Sequence, residues 1–182
     1  MTRPGTDPLL ADLAAGRAEA FEALYDRFGR RLYRAAWGVL GSPQEAEDAV
    51  QDVLLAVVRS RERLADVRDL TAYLFASLRR AAGRLAARRA RQPVAAHALV
   101  QEVADASAEA AAGRPDEGPH ADRLRQALGR LPPEQREVIA LKIDGELTFA
   151  QIADVLGVSI NTAASRYRYA LQKLRRSLGE TS

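Results

Sequence analysis

The sequence contains no cysteine and only two histidines in 182 residues. The absence of cysteine excludes a disulfide framework, a zinc knuckle and a thiol nucleophile. Both histidines, His97 and His120, lie in one acidic stretch, which argues against an active site built on imidazole. We therefore expect a protein that is not an enzyme and that holds no cofactor or metal ion.

Aromatic residues and long apolar runs are also scarce. Aromatic residues make up only 5% of the chain, and no apolar run approaches the roughly 20 residues that a membrane-spanning helix needs. The N-terminus, which contains Asp7, lacks the apolar core of a signal peptide. These absences predict a soluble cytoplasmic protein.

Charged residues are plentiful but unevenly distributed, although the net charge is only +3. Residues 1–91 carry 16 basic and 12 acidic side chains, and residues 123–182 carry ten basic and six acidic ones. Between them, residues 92–122 carry one basic and six acidic side chains. Two basic blocks are thus separated by an acidic one. Proline and glycine punctuate the acidic block, which predicts a flexible linker with a transient helix over 100–112.

The composition predicts an all-α fold, because the dominant residues, alanine, leucine, arginine and glutamate, favour helices. Apolar residues at spacings of three and four predict a first long helix over 18–40, ended by Gly41. Ser42 and Glu45 have the spacing of a capping box, which predicts the start of a second helix. A third helix is predicted over 70–91. The inward face of the first helix is predicted to consist of Phe21, Leu24, Tyr25, Phe28, Leu32 and Ala36.

The last block predicts a helix-turn-helix. A helix over 133–144 is followed by a short helix that opens with a capping box at Thr148, a turn at Gly157 and a long amphipathic helix from Ser159 to about 178. The outer faces of the long helix carry side chains of the kinds that read base edges or hold phosphates: Asn161, Thr162, Ser165, Arg166, Arg168, Gln172 and Arg175. The alternative is the solvated face of an ordinary helix.

The second predicted helix carries an acidic stripe. Glu45, Asp48 and Asp52 follow one another at spacings of three and four, with Gln51 beside them. Carboxylates at helical spacing can share a divalent cation or act as general acids and bases. No histidine accompanies them, however, so a protein-docking surface is the favoured interpretation, and a merely solvated face is the remaining one.

The third predicted helix is strongly basic from Arg79 to Arg91 and is preceded by Tyr73 and Phe75. Arginines hold phosphates, and aromatic rings can stack on unpaired bases. The pattern therefore indicates contact with single-stranded or melted DNA. The alternative is that both aromatic residues are core and that the arginines only keep the surface soluble.

These signals, in this order, resemble one family: the extracytoplasmic-function (ECF) group of bacterial sigma-70 factors. The N-terminal resemblance is clearest over 45–53, EAEDAVQDV, which is similar to the family's polymerase-docking helix. The C-terminal resemblance runs from 131 to 175 and includes LPPEQREV, LTFAQIA and TAASR. Either half alone is suggestive, and the two in order are specific.

The resemblance implies a fold of two small helical domains, sigma domain 2 over 9–91 and sigma domain 4 over 123–179, joined by the linker 92–122. It implies a sigma factor that binds core RNA polymerase and promoter DNA to direct transcription initiation, with a separate anti-sigma factor as regulator. The residues predicted to make these contacts fall into three sets. They are Asp48, Gln51 and Asp52 for the polymerase; Tyr73, Arg79, Arg80 and Arg84 for the −10 element; and Asn161, Thr162, Ser165, Arg166 and Arg168 for the −35 element.

The chain departs from the family's pattern at some of these positions. Tyr73, Arg80 and Arg84 stand where members commonly have Trp, Asn and Asp, and Ala164 and Tyr169 replace basic residues. These departures favour one alternative to the main hypothesis, a sigma-like protein that binds polymerase without melting promoters. Two further alternatives are a stand-alone helix-turn-helix regulator and a metal-dependent nucleic-acid enzyme that uses the acidic stripe.

Overall fold

The computed structural model describes residues 7–91 and 119–179, and within these ranges the regular structure is helical without any strand. The predicted all-α fold is confirmed. The helices are α1 (Pro8–Ala14), α2 (Ala18–Leu40), α3 (Pro43–Arg59), a 3₁₀ turn (Arg61–Asp66), α4 (Leu70–Arg91), α5 (Pro119–Gly129), α6 (Pro133–Ile139) with a π-helical continuation (Ala140–Asp144), α7 (Phe149–Leu156) and α8 (Ile160–Gly179). None of them is both long and apolar enough to cross a bilayer.

Most of the acidic block, residues 92–122, lies outside the residues that the structure describes. Residues 92–118, including the transient helix predicted over 100–112, lie outside the described residues. Helix α5 begins at Pro119, which is inside the stretch 92–122 predicted as a linker.

The ends of the helices follow the predicted signals. The bounds of α2 and α4 agree with the predictions, and Gly41 ends α2 in the left-handed conformation, with φ 74°. This conformation is common after a helix and favours glycine. The capping box of α3 is only half formed. The Ser42 hydroxyl oxygen accepts a hydrogen bond from the Glu45 N–H at 3.3 Å, but the Glu45 carboxylate pairs with Arg89 instead, at 3.2 Å.

Helix α1 is an element that the sequence analysis did not predict. The Asp7 carboxylate accepts a hydrogen bond from the N–H of Leu9 at 3.1 Å, and Pro8 occupies the first helical position. Both are helix-start signals. Leu10 and Leu13 are buried and anchor α1 to the rest of the domain.

Helices α2, α3 and α4 pack together and form the N-terminal core. Its largest fully buried side chains include Phe28, Leu32, Val57 and Phe75. Burial of a side chain of this size contributes about 1.5–3 kcal/mol to folding. The predicted inward face of α2 is wrong at Tyr25, which is 58% exposed. Its ring lies beside Gly29 of the same helix and not in the core.

The C-terminal helices contribute to two cores. Helices α5, α6 and α8 enclose a small cluster of their own: Ala127, Leu131, Ile139, Ala170 and Leu174. Seven further apolar residues of this half are buried in the same cluster as the N-terminal core, and four of them come from α6, its π-helical continuation, the loop after it and α7. We call them the docking cluster: Val138, Leu141, Leu147 and Ile152. The two helical domains therefore pack directly against each other, with α7 against α4 and the π-helical turn against α2.

Candidate nucleic-acid interface

Helices α7 and α8 form the helix-turn-helix that the sequence predicts. Thr148 and Gln151 make the full capping box at the start of α7. Gly157 ends α7 in the left-handed conformation, with φ 67°, which a side chain would disfavour. Two residues later, the Ser159 hydroxyl oxygen accepts a hydrogen bond from the Thr162 N–H at 3.0 Å and caps α8. The turn is therefore fixed at both ends by local hydrogen bonds.

The apolar side of helix α8 packs against α5, α6 and α7. Ala163, Ala170 and Leu174 are buried. The rings of Phe149 and Tyr167 meet edge to face, with centroids 5.6 Å apart, which is a favourable aromatic geometry. This anchoring fixes which side of α8 faces outward.

The five predicted −35 residues lie on α8, outside its buried positions. Asn161 and Arg168 are exposed, whereas Thr162, Ser165 and Arg166 are half-buried. The Thr162 hydroxyl lies 2.9 Å from the Ser159 hydroxyl, so this predicted −35 residue also takes part in the cap of α8. Tyr169, which is 53% exposed, adds an aromatic ring to this region, and the Arg168 guanidinium lies 5.7 Å from its centroid. The outward side of α8 therefore carries amide, hydroxyl and guanidinium groups.

The predicted −10 residues lie on α4, but their arginines already have partners within the chain. Arg79 pairs with Glu137 and Arg84 with Asp52, both at 2.9 Å, and Arg80 donates a hydrogen bond to the Ser77 hydroxyl at 2.8 Å. Tyr73 is half-buried. Exposed ion pairs of this kind contribute about 0–1 kcal/mol to folding, so these arginines can exchange partners at little cost to stability.

Phe75, the second aromatic residue that was considered for base stacking, is fully buried. It belongs to the core, and the Arg31 guanidinium lies 5.8 Å from its ring centroid. The interpretation of Phe75 as a stacking platform is therefore wrong. Its position on the helix face toward the core separates it from Tyr73.

The acidic stripe lies on the exposed side of α3, next to α4. Asp48, Gln51 and Asp52 are exposed. Asp52 pairs with Arg84 and Glu45 with Arg89, so two ion pairs join the acidic stripe of α3 to the basic helix α4. No group of three potential ligands in residues 7–91 and 119–179 lies close enough together to hold a metal ion. Two of the three carboxylates of the stripe are therefore ion-paired with arginines of α4.

Polar contacts surround the docking cluster at the junction of the two domains. The Gly145 carbonyl accepts hydrogen bonds from two nitrogens of Arg31, with the Nε at 3.0 Å. Three further contacts are Arg34 with Asp144 at 3.1 Å, Arg79 with Glu137 at 2.9 Å, and the Gln151 amide donating to Asp69 at 2.9 Å. We call these four contacts the polar rim.

The polar rim combines two helix caps and one perturbed carboxyl group. One oxygen of Asp69 accepts a hydrogen bond from the Ala72 N–H in the first turn of α4, and the other binds Gln151 of the α7 capping box. Burial raises the pKa of the Asp144 carboxyl above its usual range, and the neighbouring Arg34 partly offsets this.

Sequence reasoning missed the polar rim. Its partners are 58, 82 and 114 residues apart in the Arg79, Gln151 and Arg31 contacts, so no local spacing links them. The only local signals were the caps at α4 and α7, which account for the position of Asp69 and Gln151 but not for their contact.

Two family models match the chain. Sigma-70 region 2 matches residues 24–92, and Sigma-70 region 4 matches residues 121–174. The first covers α2 to α4, and the second covers α5 to most of α8. The presence of both regions in this order does not favour a stand-alone helix-turn-helix regulator.

Relatives match over nearly the full chain. The ECF RNA polymerase sigma factor SigL of Mycobacterium tuberculosis is 35% identical over 171 residues, which cover 92% of this chain and 93% of the relative. The ECF RNA polymerase sigma factor SigK of Mycolicibacterium vanbaalenii is 32% identical over 177 residues, which cover 95% and 89%.

Solved structures share the fold. CnrH in complex with the cytosolic domain of CnrY is 28% identical, with a TM-score of 0.65 over 96% of this chain and 97% of that one. The sigma factor RpoE of Bartonella quintana, in complex with the anti-sigma factor NepR, is 22% identical, with a TM-score of 0.67 over 91% and 100%. The chain therefore belongs to the sigma-70 family and, within it, to the ECF RNA polymerase sigma factors, which direct transcription initiation to promoters.

Proposed function

We propose that the chain binds core RNA polymerase through α3, engages the −10 element through α4 and reads the −35 element with α8. The observation that carries this proposal is the outward polar face of α8 on a capped helix-turn-helix, since this is the element that such motifs place in the major groove. The N-terminal domain, 9–91, and the C-terminal domain, 123–179, each supply one promoter contact.

The exposed carboxylates of α3 support the polymerase contact. Asp48 and Asp52 lie on one exposed side of the helix, and Asp52 already holds the guanidinium of Arg84. A basic helix of the polymerase can take the place of that guanidinium. Gln51 lies between them and offers a hydrogen-bonding amide to the same partner.

The proposed mechanism needs no chemistry from the chain itself. Two weak DNA contacts tethered on one polymerase give a specificity that neither has alone. Promoter melting is favoured where unpaired bases bind an aromatic ring or a pocket and phosphates bind arginines. The polymerase makes the phosphodiester bonds, so the chain is an initiation factor and not an enzyme.

The proposed partners also indicate location and regulation. Core RNA polymerase and promoter DNA are in the cytoplasm, so the chain acts there. CnrH was solved in complex with the cytosolic domain of CnrY, and RpoE in complex with the anti-sigma factor NepR. We propose that a separate anti-sigma factor likewise controls this chain.

In vitro transcription tests the proposed function. Purified chain and core polymerase are combined on promoter fragments that include the region upstream of the chain's own gene. The expected result is transcripts with discrete start sites that require the chain. Holoenzyme that forms normally but yields no chain-dependent transcript from any fragment would contradict the proposal and favour the alternative without promoter melting.

A further inference from the structure

A cleft of about 460 Å³ lies beside the C-terminal end of α2. Its lining comes from the last two turns of α2, the end of α4, helices α5 and α6, and the π-helical turn. These lining residues differ from those proposed to contact polymerase or DNA. Sites for small molecules commonly have volumes of about 300–1,000 Å³ and are lined mainly by apolar side chains with a few polar groups. The cleft has both properties.

The apolar wall of the cleft is formed by Trp37 and Leu40 of α2 and by Leu124 and Leu128 of α5. Trp37 and Leu128 are half-buried, and Leu124 is 43% exposed. Water therefore reaches an indole ring and two leucine side chains on opposite sides of the cleft. An apolar body placed between α2 and α5 removes this surface from water, which the hydrophobic effect favours.

Glycine residues keep the cleft open. Gly129 lines it at the end of α5, and a β-carbon on this residue would have no heavy atom within 4 Å. Gly38 also lines it, and a β-carbon there would lie 3.4 Å from a carboxylate oxygen of Asp144. A side chain at Gly129 would therefore have room to extend into the space that is now empty.

The charged groups of the cleft are predominantly cationic. Four guanidinium groups and one carboxylate line it: Arg34, Arg89, Arg125, Arg136 and Asp144. Arg34 pairs with Asp144 at 3.1 Å. Arg136 donates to the Gly129 carbonyl at 3.5 Å, which is longer than the usual range of about 2.7–3.2 Å. A carboxylate or sulfonate accepts stronger, charge-assisted hydrogen bonds from a guanidinium. The lining therefore favours an anion.

The π-helical turn brings the Asp144 carboxylate to the cleft. Its backbone is widened by a hydrogen bond from the Gly145 N–H to the Ala140 carbonyl, five residues earlier, at 2.9 Å. Single π-helical turns are rare and are frequent at functional sites. This turn is an observation independent of the volume of the cleft, and it points to the same place.

We propose that the cleft binds a small organic anion, whose aromatic or branched apolar body lies between Trp37 and the leucines of α5 and whose carboxylate or sulfonate is held by Arg136. This inference goes beyond the proposed function and does not depend on it. Because the walls come from α2 and α5, the anion contacts both domains and stabilises the folded chain by mass action.

The single tryptophan of the chain makes this binding observable. Trp37 is the only tryptophan, so a change in intrinsic fluorescence reports on the cleft. The probe is 1-anilinonaphthalene-8-sulfonate, titrated into the purified full chain in a buffer without phosphate. The neutral N-phenyl-1-naphthylamine, which has the same rings without the sulfonate, is the matched control. We expect one sulfonate bound per chain with a Kd on the order of 10–100 µM, strong quenching of Trp37, and at least about tenfold weaker binding of the neutral probe.

Two variants assign the binding to the cleft. Gly129→Phe fills the cleft and is expected to abolish binding of the sulfonate. Its control is Gly179→Phe, because Gly179 is a helical glycine that also has open space around its β-carbon but lies outside the lining. Arg136→Met keeps a long side chain without the charge. It is expected to weaken binding of the sulfonate at least about fivefold and to leave the neutral probe unaffected, with the exposed Arg130→Met as control.

Equal affinity for the charged and the neutral probe would overturn the proposal. Sulfonate binding that Gly129→Phe leaves unchanged, or that Arg136→Met weakens no more than Arg130→Met does, would overturn it equally. Because the sulfonate also binds molten globules, near-ultraviolet circular dichroism must show that each variant keeps fixed tertiary packing. If Gly129→Phe fails this criterion, the comparison of Arg136→Met with Arg130→Met on both probes decides alone. Transcription assays test the proposed function separately.

Discussion

The two helices proposed to contact DNA, α4 and α8, carry similar residues but hold them differently. On α4, Arg79 and Arg84 are each paired with a carboxylate. On α8, neither Arg166 nor Arg168 is ion-paired with any other described residue. For the proposed DNA contacts, the two arginines of α8 break no ion pair, whereas Arg79 and Arg84 of α4 must first release their carboxylates. This difference suits a protein whose −35 contact through α8 is made early and whose −10 contact through α4 depends on polymerase.

Reversing the charge of Asp52 is expected to have the largest effect. Asp52→Arg removes the partner of Arg84 and places a positive charge against a basic partner, and like charges at an interface cost several kcal/mol. We expect on the order of a hundredfold weaker binding to core polymerase, measured by co-elution on gel filtration or by fluorescence anisotropy. Glu22→Arg is the control, because Glu22 is an exposed acid on α2 outside the stripe. Intact holoenzyme with Asp52→Arg would refute the docking role of α3.

Truncating Arg166 tests the α8 side of the comparison. Arg166→Ala is expected to weaken −35 duplex binding by about 1–3 kcal/mol, because a lost base-edge contact costs about that much. Arg130→Ala, at an exposed arginine outside α8, is the matched control. An electrophoretic mobility shift at constant salt measures the difference. An unchanged affinity for Arg166→Ala would show that Arg166 makes no base-edge contact in the −35 element.

Truncating Arg84 tests the α4 side and is expected to have a smaller effect. In holoenzyme, Arg84→Ala should reduce affinity for −10 DNA by a similar factor on every sequence and lower the salt slope by about one. Because the Arg84–Asp52 pair is exposed, the free energy of unfolding should change by less than about 1 kcal/mol. A salt titration of Arg84→Ala and Arg166→Ala separates the two roles. Sequence-selective loss with Arg84→Ala would mean that α4 reads bases with this residue.

The smallest expected effect concerns pH and the junction between the domains. Because burial raises the pKa of Asp144 in the folded chain, protonation favours the folded state, and this contribution is lost as the pH rises through the raised pKa. Asp144→Asn should therefore be slightly more stable than the wild type at pH 7, and the difference should vanish as the pH falls toward the usual value of 3.8. Urea unfolding at pH 7 and near pH 4 measures this, with the exposed Asp154→Asn as control. A variant less stable than the wild type at pH 7 would show that the Arg34 pair outweighs the burial.

The sequence predicted helices well where the ends are marked by local chemistry. Gly41 in the left-handed conformation and the Thr148–Gln151 capping box lie where the spacing places them. Both signals act through residues only three or four positions apart. Asp7 and Pro8 are signals of the same kind at the start of α1, a helix that the sequence analysis did not predict.

The sequence predicted less where several environments compete for one side chain. Glu45 has the spacing of a capping residue but pairs with Arg89 of α4. Phe75 and Tyr73 are two residues apart, yet only Phe75 is fully buried, because they face different sides of α4. The Arg31–Gly145 contact joins residues 114 positions apart, and helical periodicity contains no information about it. The docking of the domains is therefore a property of the fold that only the structure reveals.

The proposed function requires one chain to hold two promoter contacts on one polymerase. Insertion of five base pairs, about half a helical turn, between the −35 and −10 elements of a promoter that the chain recognises tests this most directly. We expect loss of the chain-dependent transcript from the lengthened promoter, with unchanged affinity for the isolated −35 duplex. Undiminished transcription from the lengthened promoter would contradict it.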